Sequence, residues 1–148
     1  MMSSYGLSLV LAVVACVIGG VLGGLALARP GSAPGLAGDD APPNTPTSAP
    51  DAGALAQGRA FGGLLILSHA TAALFLGYQS SVGAAMAFAL AMAWLGAALG
   101  RTASLLIDKA SGRLNLGSLA FEVLIAVTLS LPFFNAGRLV VRGAGMLV

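Results

Sequence analysis

The residues able to do chemistry in the apolar parts of this chain are few: Arg59, His69, Arg101, Asp108 and Glu122. An ionised side chain at the middle of a lipid bilayer costs about 2.5–3.5 kcal/mol on insertion scales, so it is expected against a partner or water. Arg101 and Glu122 stand ten and a half residues on either side of a turn centred between Ser111 and Gly112. If the chain reverses there, an antiparallel helical hairpin puts both at the same depth, roughly 10 Å inside the helix ends at about 1.5 Å per residue. The spacing predicts a buried Arg–Glu ion pair. Asp108 follows Arg101 by seven residues, two helical turns on and nearly the same face. Arg59 opens an apolar segment on the same side of the membrane, which makes a cluster of four. His69 lies ten residues beyond Arg59, near the midplane.

Three kinds of chemistry suit such a set. A paired Arg and Glu can lock two helices in register and do nothing else. The same cluster can bind a lipid headgroup, a quinone or a small anion. Glu122, Asp108 and His69 can also relay protons or ions. For His69 alone a hydrogen bond to a neighbouring helix is the simpler expectation. Metal ligation would need carboxylates drawn from the ion pair, because there is no second histidine. Cys16 is the only cysteine, so neither an intrachain disulfide nor a Cys-based zinc site is available. No catalytic constellation is present: there is no phosphate-binding Gly-Lys loop, no G-x-S-x-G and no H-E-x-x-H. Ser68 and His69 are neighbours in sequence and are expected on different helix faces, a poor nucleophile–base arrangement. The reading is of a non-enzymatic protein with no cofactor and no metal.

The elements that must position these residues follow from composition. Of 148 residues, 57% are hydrophobic and 8% charged, and the mean hydropathy is +0.94. A soluble domain carries roughly 25% charged residues; with so few charges the apolar surface must face lipid. The segments Tyr5–Ala28, Phe61–Tyr78, Val82–Ile107 and Leu116–Phe134 each approach the about 20 residues that span a bilayer. None alternates with period two as barrel strands would. The fold class expected is all-α, an integral membrane bundle of four transmembrane helices. With no basic run interleaved with aromatics, nucleic acid is not an expected partner. The expected partners are the lipid bilayer and either another membrane protein or further copies of this chain.

The connections are unequal. Residues 29–57 hold six of the seven prolines and three of the five acidic residues (Asp39, Asp40, Asp51), and read as a flexible linker between a first helix over 1–28 and a three-helix membrane core over 58–135. Gln79-Ser80-Ser81 forces a hairpin. Residues 136–148, with Arg138 and Arg142, read as an interfacial end of the last helix. The first segment has a competing reading as a signal peptide, since Ala26-Leu27-Ala28 has the small-x-small form of a cleavage site. The uncharged start and the long apolar run argue for a retained helix. With four spans, Arg29, Arg59, Arg101, Lys109 and Arg113 fall on one side and Arg138 and Arg142 on the other. The positive-inside rule then puts the linker in the cytoplasm and both termini outside, in a multi-pass protein of the cell membrane, by expectation a bacterial inner membrane.

Glycines four apart (Gly19/Gly23, Gly20/Gly24, Gly58/Gly62 and Gly96/Gly100) are the pattern that lets helices approach closely in lipid. Gly62, Gly63, Gly96 and Gly100 are accordingly expected at helix-packing faces. Trp94 and Phe88 fall mid-helix, as core or lipid contacts. Pro132 is expected to kink or fray the fourth helix.

Three motifs resemble a known family, domain of unknown function 4345, whose members are small bacterial membrane proteins of about four helices. QGRAFGGL (Gln57–Leu64) is similar to the Arg-Ala-x-Gly-Gly pattern that opens the family's second helix. LGAALGRTASLLID (Leu95–Asp108) is similar to the Gly-Arg-x-x-Ser/Gly-Leu-x-x-Asp that ends the third, and LAFEVLIA (Leu119–Ala126) carries the single Glu early in the fourth. The resemblance covers Gln57 to Phe134. The chain departs from it in its long Pro-rich linker and in Lys109, where Gly often follows the Asp. The resemblance singles out Arg59, Gly62, Gly63, Arg101, Asp108 and Glu122 and implies no activity. The function expected is that of a scaffold or accessory subunit. The alternative is a lipid-, quinone- or small-molecule-binding or transport protein that uses the Arg59/Arg101/Asp108/Glu122 cluster.

Overall fold

A computed structural model describes residues 4–30, 52–107 and 113–144. They form four helices: α1 (Ser4–Ala28), α2 (Ala52–Tyr78), α3 (Ser80–Ile107) and α4 (Arg113–Ala144). All four are long and apolar enough to cross a membrane. Helix α1 stops at Ala28, just before Arg29-Pro30, because the proline ring disfavours helical backbone in the residue before it. Helix α2 begins at Ala52, earlier than the expected boundary at residue 58. Its first residues, Ala-Gly-Ala-Leu-Ala-Gln, are mostly good helix formers once out of the proline-rich stretch. The rest of the expected linker, residues 31–51, lies outside the described residues, as do Asp108, Lys109 and the turn at Ser111-Gly112.

The link between α2 and α3 is tighter than expected, with Gln79 the one residue between the two helices. Backbone hydrogen bonds run through it, from Gln79 N to Phe75 O (2.8 Å) and from Gly83 N to Gln79 O (2.9 Å). Gly83 makes this reversal possible, since a Cβ there would collide with the backbone of Phe75 and Leu76. Helix α4 continues through Pro132 to Ala144, so the proline does not end it. Pro132 itself is buried.

The helices form an antiparallel ring in the order α1–α2–α3–α4, with α4 closing on α1. Across the ring α1 touches α3. The core explains that contact. It is built from Ala12, Ala15 and Cys16 of α1 and Ala87 and Ala91 of α3, with Ala72 and Leu76 of α2 and Ile125 and Leu129 of α4. Small side chains on α1 and α3 let those backbones approach along the diagonal. The core therefore belongs to all four helices, which corrects the expectation of a three-helix core over residues 58–135.

Large apolar side chains point the other way. Val17, Val21, Leu64, Leu67, Leu74 and Leu124 are all exposed. A water-soluble bundle would bury such residues and leave few contiguous apolar patches outside. Small residues inside and large aliphatic residues outside is the distribution expected where lipid is the solvent, since packing rather than water expulsion brings helices together there.

Close helix approach has a specific location. Gly23 of α1 and Gly62 of α2 face each other, and a Cβ on Gly62 would come within 2.6 Å of the Gly23 carbonyl oxygen. Gly62 packs as expected. Around Gly63, Gly96 and Gly100 a Cβ would meet nothing within 4 Å, and Gly96 and Gly100 are exposed. They pack against no neighbouring helix within this chain: the ridge of α3 that carries Gly96 and Gly100 points out of the ring, while Ala87, Ala91 and Ala98 face in.

Candidate functional site

Arg101 sits six residues before the end of α3, and Glu122 nine residues into α4. The two side chains meet. Arg101 Nη2 donates to Glu122 Oε1 at 2.7 Å, and Nε donates to Oε1 at 3.1 Å and to Oε2 at 3.2 Å. Two guanidinium nitrogens on one carboxylate give a charge-assisted contact with fixed orientation, stronger than a neutral hydrogen bond. The Glu122 side chain is 6% exposed and that of Arg101 18%, so the pair is nearly withdrawn from its surroundings on the Glu side.

The same register is held further along the hairpin. Phe88, thirteen residues before Arg101, stacks on Phe133, eleven residues after Glu122, with ring centroids 4.5 Å apart. Phe134 packs edge-on against Phe88. The polar pair and the aromatic cluster thus fasten α3 to α4 at two well-separated heights.

A second polar centre joins α1, α2 and α3. His69 is completely buried. Its Nδ1 lies 2.8 Å from the Leu65 carbonyl oxygen one turn back, and its Nε2 accepts the indole N–H of Trp94 at 3.1 Å. An indole nitrogen can only donate, so Nε2 must be the unprotonated nitrogen and Nδ1 carries the hydrogen that goes to Leu65. The imidazole is neutral, in one tautomer, with both nitrogens engaged. Gly19 of α1 provides its space, since a Cβ there would run into the imidazole ring. The far edge of Trp94 meets Phe121, the residue beside Glu122, in a T-shaped contact at 6.2 Å. Trp94 packs against the core, as expected, and its indole N–H is engaged there as well. An indole N–H in a lipid-embedded segment needs an acceptor, and that was the signal available in the sequence.

Ser68 comes closer to His69 than its position in the sequence suggests, with Oγ 3.4 Å from Nδ1. The hydroxyl donates instead to the Leu65 carbonyl at 3.2 Å. Because Nδ1 holds a hydrogen, it has no lone pair with which to take the serine proton, and the two do not form a nucleophile–base pair.

Arg59 is not brought to the pair. Arg59 is exposed on α2 and makes no hydrogen bond or ion pair among the described residues. Asp108 lies outside the described residues. Among the described residues no three His, Cys, Asp or Glu side chains gather as a metal site would require. No buried side-chain nitrogen or oxygen among them lacks a hydrogen-bond partner.

Neither the curated proteins nor the solved structures contain a match to this chain. One family model does match, over residues 5–132, a span that takes in α1 as well as the three helices on which the motif resemblance rests. By that match the chain belongs to the family described as Domain of unknown function (DUF4345).

Proposed function

We propose that this protein is a non-enzymatic membrane scaffold or accessory subunit, with α3 and α4 locked by Arg101 and Glu122 to present a fixed outer surface to lipid and to a membrane partner. The observation that carries this reading is the three-fold hydrogen bonding of Arg101 to one carboxylate. Groups poised for turnover are usually left open to a substrate, whereas these are turned on each other. The partner is a second membrane protein or another copy of this chain, and neither nucleic acid nor a cofactor has a role. The protein resides in a cell membrane as a multi-pass protein, by this reading a bacterial inner membrane, with α1 retained. The basic residues at the Arg29/Arg59/Arg101 end support a cytoplasmic position for that end.

The test is Glu122→Gln, read two ways. Under the scaffold reading the variant loses thermal stability, and recovery of a copurifying membrane protein or of the oligomer falls with it. A second reading, in which the cluster binds a lipid, quinone or other small molecule or transports it, draws on the partial exposure of the Arg101 side chain. Under that reading the fold survives Glu122→Gln and ligand binding or uptake fails.

A further inference from the structure

Contacts between the helices set the heights of the charged residues along the bundle. Gly19 of α1 packs against His69 of α2. Ten residues from that contact, in the same spatial direction along two antiparallel helices, stand Arg29 and Arg59. The contact of Gly58 with Pro30 holds them level, since a Cβ on Gly58 would lie 2.7 Å from the Pro30 Cβ. Arg59 comes twenty residues before Gln79, the α2–α3 link, and Arg101 twenty-two residues after it. At about 1.5 Å per residue these basic residues lie roughly 30–33 Å from the link. Glu122, bound to Arg101, shares their level.

Between the two levels the described side chains carry no charge. His69, ten residues from Arg59 and ten from Gln79, sits halfway and is neutral. On α4 the charges after Glu122 are Arg138 and Arg142, sixteen and twenty residues on, which sets Arg142 level with the link and Arg138 one turn short of it. At the link, Tyr78 is 87% exposed and leads into Gln79-Ser80-Ser81. An exposed phenol, apolar in its ring and wet at its hydroxyl, belongs at a membrane–water boundary. The height between Tyr78 and the ionised level matches the hydrocarbon thickness of a bilayer, about 30 Å.

Helix α3 runs six residues past Arg101, and α4 begins nine residues before Glu122. A bilayer shifted to cover the exposed Leu106 and Ile107 would lift Tyr78 into water by about 9 Å. It would also sink Arg29, Arg59, Arg101 and Glu122 into hydrocarbon, where ionised groups are the most expensive to place.

We propose that the bilayer meets this protein at two levels, with Tyr78 and the α2–α3 link in one headgroup layer and the Arg101–Glu122 pair, level with Arg29 and Arg59, in the other. The inference rests on the reading of the chain as a membrane protein. The ion pair is then a clasp at the membrane surface, and the joined ends of α3 and α4 project beyond the hydrocarbon.

The experiment uses the full chain in vesicles of phosphatidylcholine brominated either close to the headgroup or close to the methyl end of the acyl chain. In a Trp94→Phe background, which removes the native tryptophan, one new tryptophan is placed by Tyr78→Trp, Ile107→Trp or Leu67→Trp. All three positions are exposed, so the variants should share one melting temperature. Leu67→Trp should lose most of its emission to the deep bromine and Tyr78→Trp to the shallow one. Ile107→Trp should keep its emission with both lipids and emit further to the red. Quenching of Ile107→Trp as strong as that of Tyr78→Trp, or stronger, would overturn the proposed seat and leave the membrane reading intact. So would quenching of Tyr78→Trp chiefly by the deep bromine. Leu67→Trp unquenched by either lipid would overturn the membrane reading and the seat together.

Discussion

Gly19 of α1 stands directly against the imidazole of His69 on α2, leaving no room for even one methyl group between them. Gly19→Ala must therefore displace a ring held at both nitrogens. Overpacking of this kind costs about 1–3 kcal/mol. Thermal unfolding in detergent should show the loss, while Gly20→Ala, whose Cβ meets nothing within 4 Å, should be neutral or slightly stabilising. Equal behaviour of the two variants would contradict the close approach at Gly19.

The Arg101–Glu122 pair makes a sharper prediction through its double variant. Removing one partner leaves an uncompensated charge, and Glu122→Leu or Arg101→Leu alone should destabilise by about 3 kcal/mol. Arg101→Leu combined with Glu122→Leu removes both charges, and in an apolar setting it should recover most of that loss. A double-mutant cycle on unfolding free energies reads the coupling directly. Additive losses would show that the two side chains do not act on each other.

Trp94 is the only tryptophan in the chain, so its fluorescence reports on one hydrogen bond. His69→Leu removes the acceptor of the indole N–H, and the emission should move to the blue. In the reverse experiment, Trp94→Phe leaves His69 Nε2 unpartnered and should cost about 1 kcal/mol. An emission spectrum unaltered by His69→Leu is the outcome that speaks against this bond.

Helix α1 supplies Ala12, Ala15 and Cys16 to the shared core. The protein isolated from membranes should accordingly retain residues 1–28, as intact mass and N-terminal sequencing would reveal. A chain truncated before Arg29 should fail to accumulate as a folded species, because Gly62 and His69 would lose the surface they pack against. A mature protein that begins at or after Arg29 and still unfolds cooperatively would refute this.

How much of this arrangement could be read from the sequence depended on how directly the chain encodes depth. Counting from the turn pairs Arg101 with Glu122 because a short antiparallel hairpin makes distance from the turn equivalent to depth. His69 and Trp94 escaped that count. His69 lies ten residues before Gln79 and Trp94 fifteen after it, and two long side chains bridge the difference in height. The hydrogen bond from His69 to another helix was nonetheless the expected one, with only its donor missing. Glycine spacing was ambiguous for a different reason. The four-residue repeat shows that a smooth ridge exists, but not whether the ridge points inward, as at Gly23 and Gly62, or outward, as at Gly96 and Gly100. The sequence groups Arg59 with Arg101 because both belong to one end of the bundle. Sharing an end fixes height, while position around the helix decides contact.

The single-residue link at Gln79 bears on biogenesis. Two spans joined by so little chain cannot be threaded into a bilayer one at a time with a pause between them, since no polar stretch is long enough to rest on the far side. Helices α2 and α3 should leave the translocon together as a preformed hairpin, and their topologies are then coupled, so that inverting one inverts the other. Lengthening the link with a flexible insert after Gln79 would let insertion of the two be followed separately.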